Sequence, residues 1–262
     1  MSIEFNGTSE IINNFYNLRL AHSRNGNENE TATGWKAASW SSSGYQRRIF
    51  DVIMKNVKGS QTNYDSVLDV GCGVGDFLPY LFKNHYKRSG WTYTGIDISE
   101  DVIQEAKRQA ESVWETLPHR EGLELIPTSR ISFGCGDFLD LEFEKSFEWV
   151  IAAGTFNLRL LDSPNQYAYL FSVLEKMFNL CDEGVIVTIL SDRANQRSDG
   201  HKQVRFNDLF YYEPSKVLNH CLTHITENVV IDHSSLDYQF VLTLYPNDFE
   251  QRIIERDDNE KA

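Results

Sequence analysis

The ten residues VLDVGCGVGD, Val67–Asp76, decide how the rest of the chain is read. Val67, Leu68 and Val70 make a short apolar run of the kind buried on both faces of a sheet. Gly71, Gly73 and Gly75 follow it at two-residue spacing. Glycines in that position let the backbone turn tightly out of a strand and into a helix whose early amide groups face a polar or anionic ligand. A glycine turn alone is a weak signal, and this one gains weight because strand, turn, helix and second strand arrive in order. Its spacing also discriminates. A dinucleotide fingerprint beginning at Gly71 requires glycine at position 76, where the chain has Asp76. A P-loop is excluded because no Gly-Lys-Ser/Thr follows.

Outward from this turn the texture is that of alternating strands and helices on a mostly parallel sheet. Strands are expected at Ser66–Val70, Trp91–Ile96, Arg130–Phe133, Glu148–Ala152, Gly184–Leu190, Val229–His233 and Tyr238–Tyr245. Between them, Val102, Ile103, Ala106, Ala110 and Val113 share one helical face, and Ser99 ahead of Glu100 and Asp101 caps that helix. Tyr167–Leu180 reads as a further helix, and Pro214 opens another through His224. Residues 1–62 are polar and irregular. They carry an apolar cluster at Ile11, Ile12, Phe15 and Leu18 and a second helix from Tyr45 to Val57. The expected organisation is therefore an N-terminal helical appendage or lid (1–62), an α/β Rossmann-like core (63–247) with helices on both faces, and a polar tail (248–262).

Two further carboxylates fall at the same sheet edge as the glycine turn. Asp97, in YTGIDIS, lies 22 residues beyond Gly75 at the end of the second strand, placed to accept hydrogen bonds from both hydroxyls of a ribose. Asp137, in FGCGDFLD, lies just past the third strand. It is either a loop-capping aspartate or a carboxylate that accepts from an exocyclic amine, with Phe138 against the base. A nucleoside without a pyrophosphate satisfies this pattern.

At this point the chain resembles the class I S-adenosylmethionine-dependent methyltransferases. DVGCGVG matches their first motif, Asp97 matches the acidic residue after their second strand, and Gly136-Asp137-Phe138 matches the adenine-side element after the third. The resemblance covers about residues 60 to 245 and implies a seven-stranded sheet whose last strand is reversed, with S-adenosylmethionine as cofactor. It also implies that Asp69 positions the methionyl end, that Gly71 and Gly73 approach the cofactor closely, that Asp97 holds the ribose and that Asp137 meets the adenine amine. Cys72, Ile98, Phe138, Ala153 and Gly154 complete the expected cofactor-binding set.

Composition limits the acceptor. The chain has 262 residues and a formal charge of -13, so its average surface repels nucleic-acid backbones and anionic lipid. No asparagine-proline-proline-tyrosine element follows the fourth strand, and there is no prolylcysteine, which counts against two classes of DNA methylation. Cys72, Cys135, Cys181 and Cys221 form no CxxC pair, so neither a zinc site nor a disulfide framework is expected. HCLTH, His220–His224, lacks the glutamate of a zinc helix, and one of its histidines is expected in solvent and the other against the core. With no leader and no long apolar run, a cytoplasmic setting is expected.

A sulfonium methyl is already activated, so no catalytic residue is assigned. Positioning and exclusion of water suffice unless the acceptor must lose a proton early. Acceptor-pocket candidates are Tyr16 and Trp40 from the aromatic N-terminal region and His201 and Tyr211 from the long connection Leu190–Pro214. Phe156 and Asn157, in AAGTFNLRL (Ala152–Leu160), complete the set. Asn157 either orients the acceptor or caps the loop, Gly154 lets the cofactor pass, and Arg159 anchors the segment or faces solvent. A small-molecule acceptor fits these observations. An RNA or protein acceptor, a non-catalytic S-adenosylmethionine-binding regulatory protein and, third, a nicotinamide oxidoreductase remain as alternatives.

Overall fold

The structure, a computed structural model, describes residues 8–23, 42–57, 66–85, 91–116, 130–193 and 206–247. Two N-terminal helices, α1 (Thr8–Ser23) and α2 (Ser43–Asn56), precede β1 (Ser66–Val70), α3 (Phe77–His85), β2 (Thr92–Asp97), α4 (Glu100–Thr116) and β3 (Ile131–Cys135). The second half runs β4 (Phe147–Ala153), a short 3₁₀ turn (Thr155–Asn157), α5 (Ser163–Asn179), β5 (Cys181–Leu190), α6 (Pro214–His224), β6 (Asn228–Asp232) and β7 (Gln239–Tyr245). All seven expected strands are present, with ends that differ by a few residues.

The strands form one sheet in the order β3-β2-β1-β4-β5-β7-β6, parallel except for β7, which runs against both of its neighbours. The chain builds outward from β1 through β2 to β3, then returns to place β4 on the other side of β1. That reversal opens the crevice where open α/β sheets bind ligands. Successive residues of the central strands face opposite layers: Trp149 and Ile151 pack with α2 and α3, while Val150 and Ala152 pack with α5 and α6. This two-sided burial is why the strands read as near-continuous apolar runs.

The expected boundary at residue 62 does not separate α2 from the core. Ile49, Phe50, Val52 and Ile53 are buried in one cluster with Val67, Trp149 and Tyr245, so α2 is a core helix and not an appendage. Its apolar residues recur at helical spacing and cover the sheet face that α3 leaves open. Helix α1 is held over the site instead: Leu20 packs with Val74 and Val102, and Asn17 Oδ1 accepts from Ser99 Oγ at 2.6 Å. Ser99 also caps α4, its Oγ accepting from Val102 N at 3.4 Å. The tail from 248, Trp40 and His201 lie outside the described residues. Among the described residues no helix is long and apolar enough to cross a membrane.

Candidate active site

The glycine turn is folded by its own amides. Gly71 N and Cys72 N both donate to Ile96 O (2.8 and 3.0 Å), Gly73 N donates to Asp97 Oδ2 (3.0 Å), and Gly75 N donates to Cys72 O (3.0 Å). These four N–H groups of the turn itself are spent within the protein, so any amide offered to a ligand here comes from the first turn of α3. A turn of this kind suits a ligand without a phosphate at this point.

Positive φ angles of 71°, 57° and 79° at Gly71, Gly73 and Gly75 explain the residue type. Their surroundings differ. A Cβ on Gly71 would lie 2.4 Å from Thr155 Cγ2, whereas one on Gly73 would meet nothing within 4 Å. Gly73 thus borders open space, a cradle that a side chain would fill, while Gly71 makes room for Thr155. Thr155 Oγ1 in turn donates to Val70 O at 2.8 Å and ties the end of β1 to the turn after β4. Thr155 was not legible as a site residue, because nothing local links it to a turn 84 residues earlier.

Carboxylates line the crevice. Asp97 is 9% exposed, with Oδ2 accepting from Gly73 N and Oδ1 from Ser99 N at 3.1 Å. Each oxygen keeps a lone pair for a ligand hydroxyl. Asp69 is 2% exposed and accepts from Tyr93 OH at 2.7 Å. Burial first, and the charge of Asp97 second, push the Asp69 carboxyl up to about 7 against the opposing hydrogen bond from Tyr93. Burial likewise raises Asp97 and Asp76, the latter held by Gln46 Nε2 of α2 at 2.7 Å. Such buried carboxylates favour a cationic ligand, which replaces the hydration they have lost.

The remaining expected residues sort by position. Ile98, Ala153 and Cys72 line the cavity. The Cys72 thiol is pushed well up by burial and by Asp97 and Asp69, a packing residue rather than a nucleophile. Asp137 lines the cavity and also caps its own loop, Oδ1 accepting from Leu139 N at 3.0 Å. Phe138 lines the cavity too, but is 6% exposed and packs on Phe143. Lys176, missed in the sequence, lies over the Phe138 ring at 5.3 Å and donates to Leu139 O at 2.8 Å and to Leu141 O, fastening this loop to α5.

The segment Gly154–Leu160 forms the floor beyond β4. Gly154 has φ 72° and donates to Thr188 Oγ1 at 3.0 Å, so its glycine serves a left-handed turn. Asn157 lines the cavity, and its Oδ1 accepts from Leu190 N at 2.9 Å, which fastens the loop to the end of β5. Arg159 is an anchor: Nε donates to Asn207 O and Nη2 to Leu209 O, both at 3.0 Å, with the guanidinium 5.1 Å from the centre of the Phe210 ring. It ties the floor to the 206–212 segment, whose Phe206, Leu209 and Tyr211 face the same cavity. Tyr16 of α1 and Phe156 line it as well. The cavity measures about 570 Å³, within the roughly 300–1,000 Å³ of small-molecule sites.

Elsewhere His220 is half-buried, stacks on Phe171 at 3.7 Å and bonds Glu175 at 3.0 Å, while His224 is exposed. Neither is among the residues that line the cavity.

Strand order, the reversed seventh strand and the glycine turn at the β1/β4 crevice define the class I methyltransferase architecture. The methyltransferase-domain family model matches residues 61–241, and the chain belongs to that family, whose methyl donor is S-adenosylmethionine. A Mycobacterium tuberculosis protein named as a putative methyltransferase, Rv1506c, is 24% identical over 181 residues, covering 68% of this chain and 90% of its own. Among solved structures, magnesium protoporphyrin IX methyltransferase from Synechocystis with bound S-adenosylmethionine superposes with a TM-score of 0.54 at 17% identity, over 92% of this chain and 97% of its own. The N-methyltransferase NodS from Bradyrhizobium japonicum, in complex with S-adenosylhomocysteine, gives 0.54 at 15% identity, over 89% and 97%. At these identities the structural likeness speaks for the fold.

Proposed function

We propose that the protein transfers a methyl group from S-adenosylmethionine to a small molecule. The observation that carries this reading is the continuity of the cavity. It runs from the cradle at Gly73 and the carboxylates Asp69 and Asp97, past Gly154, into a chamber walled by Phe156, Leu158, Leu209 and Tyr211. Asp97 would hold the ribose hydroxyls, Asp137 and Phe138 the adenine, and Asp69 the methionyl end. When bound, the donor supplies a methyl carbon that is already activated by its sulfonium. What the chain then has to do is orient the acceptor atom and keep water out. The side chains of Phe156, Leu158 and Leu209 in the lining, with α1 fastened beside the cavity through Asn17 and Ser99, serve that purpose.

The test is incubation with methyl-labelled donor and cell extract separated into small-molecule, RNA and protein fractions. Label is expected in the small-molecule fraction. Label confined to RNA or protein, or no transfer by protein that binds S-adenosylhomocysteine, would overturn the proposal.

A further inference from the structure

We infer that the acceptor is an amine carried on an apolar or aromatic frame, and that its N–H is received by the carboxamide oxygen of Gln239. This rests on the methyltransferase reading of the cavity and adds the chemistry of its acceptor end.

Sheet order sets two stretches of the cavity's lining apart. The donor-side residues stand at the ends of β1, β2 and β3, whereas Gln239 opens β7 and pairs with Leu190, the last residue of β5, on the far side of β4. Gln239 is 2% exposed. Its Nε2 donates to Tyr45 OH at 3.4 Å, but its Oε1 is buried without a partner. Gln239, Tyr45 and Leu190 all line the cavity. A buried carbonyl left without a donor is costly, and a ligand that brings an N–H to it recovers that cost.

Charge then selects among donors. Five aspartates line the cavity, Asp69, Asp76, Asp97, Asp137 and Asp237, and among the described residues no Lys, Arg or His does. Asp237 leans on Arg48 at 3.5 Å, from outside the lining, and Asp76 is held by the neutral Gln46. A carboxylate or phosphate entering the cavity meets only acidic charge among these lining residues, Asp237 standing two residues from Gln239, while an ammonium meets attraction from them and from the aromatic rings of Tyr45 and Tyr238. The ammonium loses one proton to water before reacting. Its nitrogen lone pair then forms the new N–C bond as the donor's S–C bond breaks, the bonding pair staying on sulfur and a methylammonium product remaining.

Three matched probes, 2-phenylethylamine, 2-phenylethanol and phenylacetate, are titrated calorimetrically into protein saturated with S-adenosylhomocysteine. The amine is expected to bind at least about tenfold more tightly than the alcohol, a difference of about 1.4 kcal/mol, and phenylacetate not at all. Gln239→Leu should cost the amine at least fivefold in affinity. It should leave S-adenosylhomocysteine binding within twofold and the melting temperature no lower, since it removes an unpaired buried oxygen. Amine binding no tighter than alcohol binding, including no binding of either, overturns the inference, as does phenylacetate binding that matches the amine or an unchanged Gln239→Leu. Failure of S-adenosylhomocysteine itself to bind is a separate result, and strikes the donor assignment first.

Discussion

Replacing Gly71 and Gly73 separately by alanine distinguishes a glycine required by packing from one required by the ligand. Both positions hold positive φ, which costs alanine about 1–2 kcal/mol. At Gly71 the new methyl also meets Thr155 Cγ2 at 2.4 Å and Oγ1 at 2.6 Å, contacts that force Thr155 or the β1/β4 crevice to move. Overpacking of that kind adds about 1–3 kcal/mol, so Gly71→Ala should lose about 2–5 kcal/mol in urea unfolding. Gly73→Ala meets no atom within 4 Å and should lose only the backbone part. It should nevertheless weaken S-adenosylhomocysteine binding at least tenfold, about 1.4 kcal/mol, because its methyl occupies the cradle. A double-mutant cycle isolates the clash. Thr155→Ala removes both offending atoms, so it should recover about 1 kcal/mol or more of the Gly71→Ala loss, although alone it forfeits the bond to Val70 O. Equal destabilisation by the two glycine variants, undiminished ligand binding by Gly73→Ala, or a cycle without coupling would refute the reasoning.

Three further outcomes follow from the same geometry. The Asp69 carboxyl, at about 7 in the fold against an ordinary value near 4, binds its proton more tightly folded than unfolded. Its contribution to stability is therefore full below about pH 4 and is lost as pH rises through 7. A cationic donor needs the ionised form, so S-adenosylmethionine should bind more tightly at pH 8 than at pH 6 and release a proton near pH 7. Calorimetry in buffers of differing ionisation heat should show this for the wild type and not for Asp69→Asn; buffer-independent heats in the wild type contradict it. Asp97→Ala should weaken donor binding by about 2–5 kcal/mol, and unchanged affinity by calorimetry rules out the ribose assignment. Lys176→Met should cost about 1–3 kcal/mol in unfolding and weaken S-adenosylhomocysteine binding through the Leu139–Leu141 loop, with Lys176→Arg restoring part of both. A Met variant that binds with wild-type affinity would confine Lys176 to a stabilising role.

The chain's local chemistry carried a large part of this protein to the surface of its sequence. Alternating burial writes itself as apolar runs, so all seven strands were legible. A left-handed turn demands glycine, so the residues of VLDVGCGVGD marked the crevice on their own. Ser99 and Pro214 likewise declared helix starts, because capping is decided within one turn of chain. What escaped were pairings between distant segments, whose local sequence carries no trace of the partner. Helix α2 reads as peripheral in one dimension, yet its Ile49 and Ile53 fill one face of the sheet. That Thr155 packs against Gly71 could not be read from the turn alone. The amides of Gly71, Cys72 and Gly73 have partners in Ile96 and Asp97, at the end of a strand more than twenty residues away. The meaning of AAGTFNLRL changes in the same way. Its Asn157 and Arg159 bind backbone of β5 and of the 206–212 segment, positions 33 and 48 to 50 residues away, and so build the floor of the cavity. Backbone preference and burial period act over a few residues, and whatever they govern is written in the order of the amino acids. Which carboxylate loses its water, which amide finds a partner and which carbonyl is left without one depend on segments that meet only when the sheet closes, and those outcomes belong to the folded molecule.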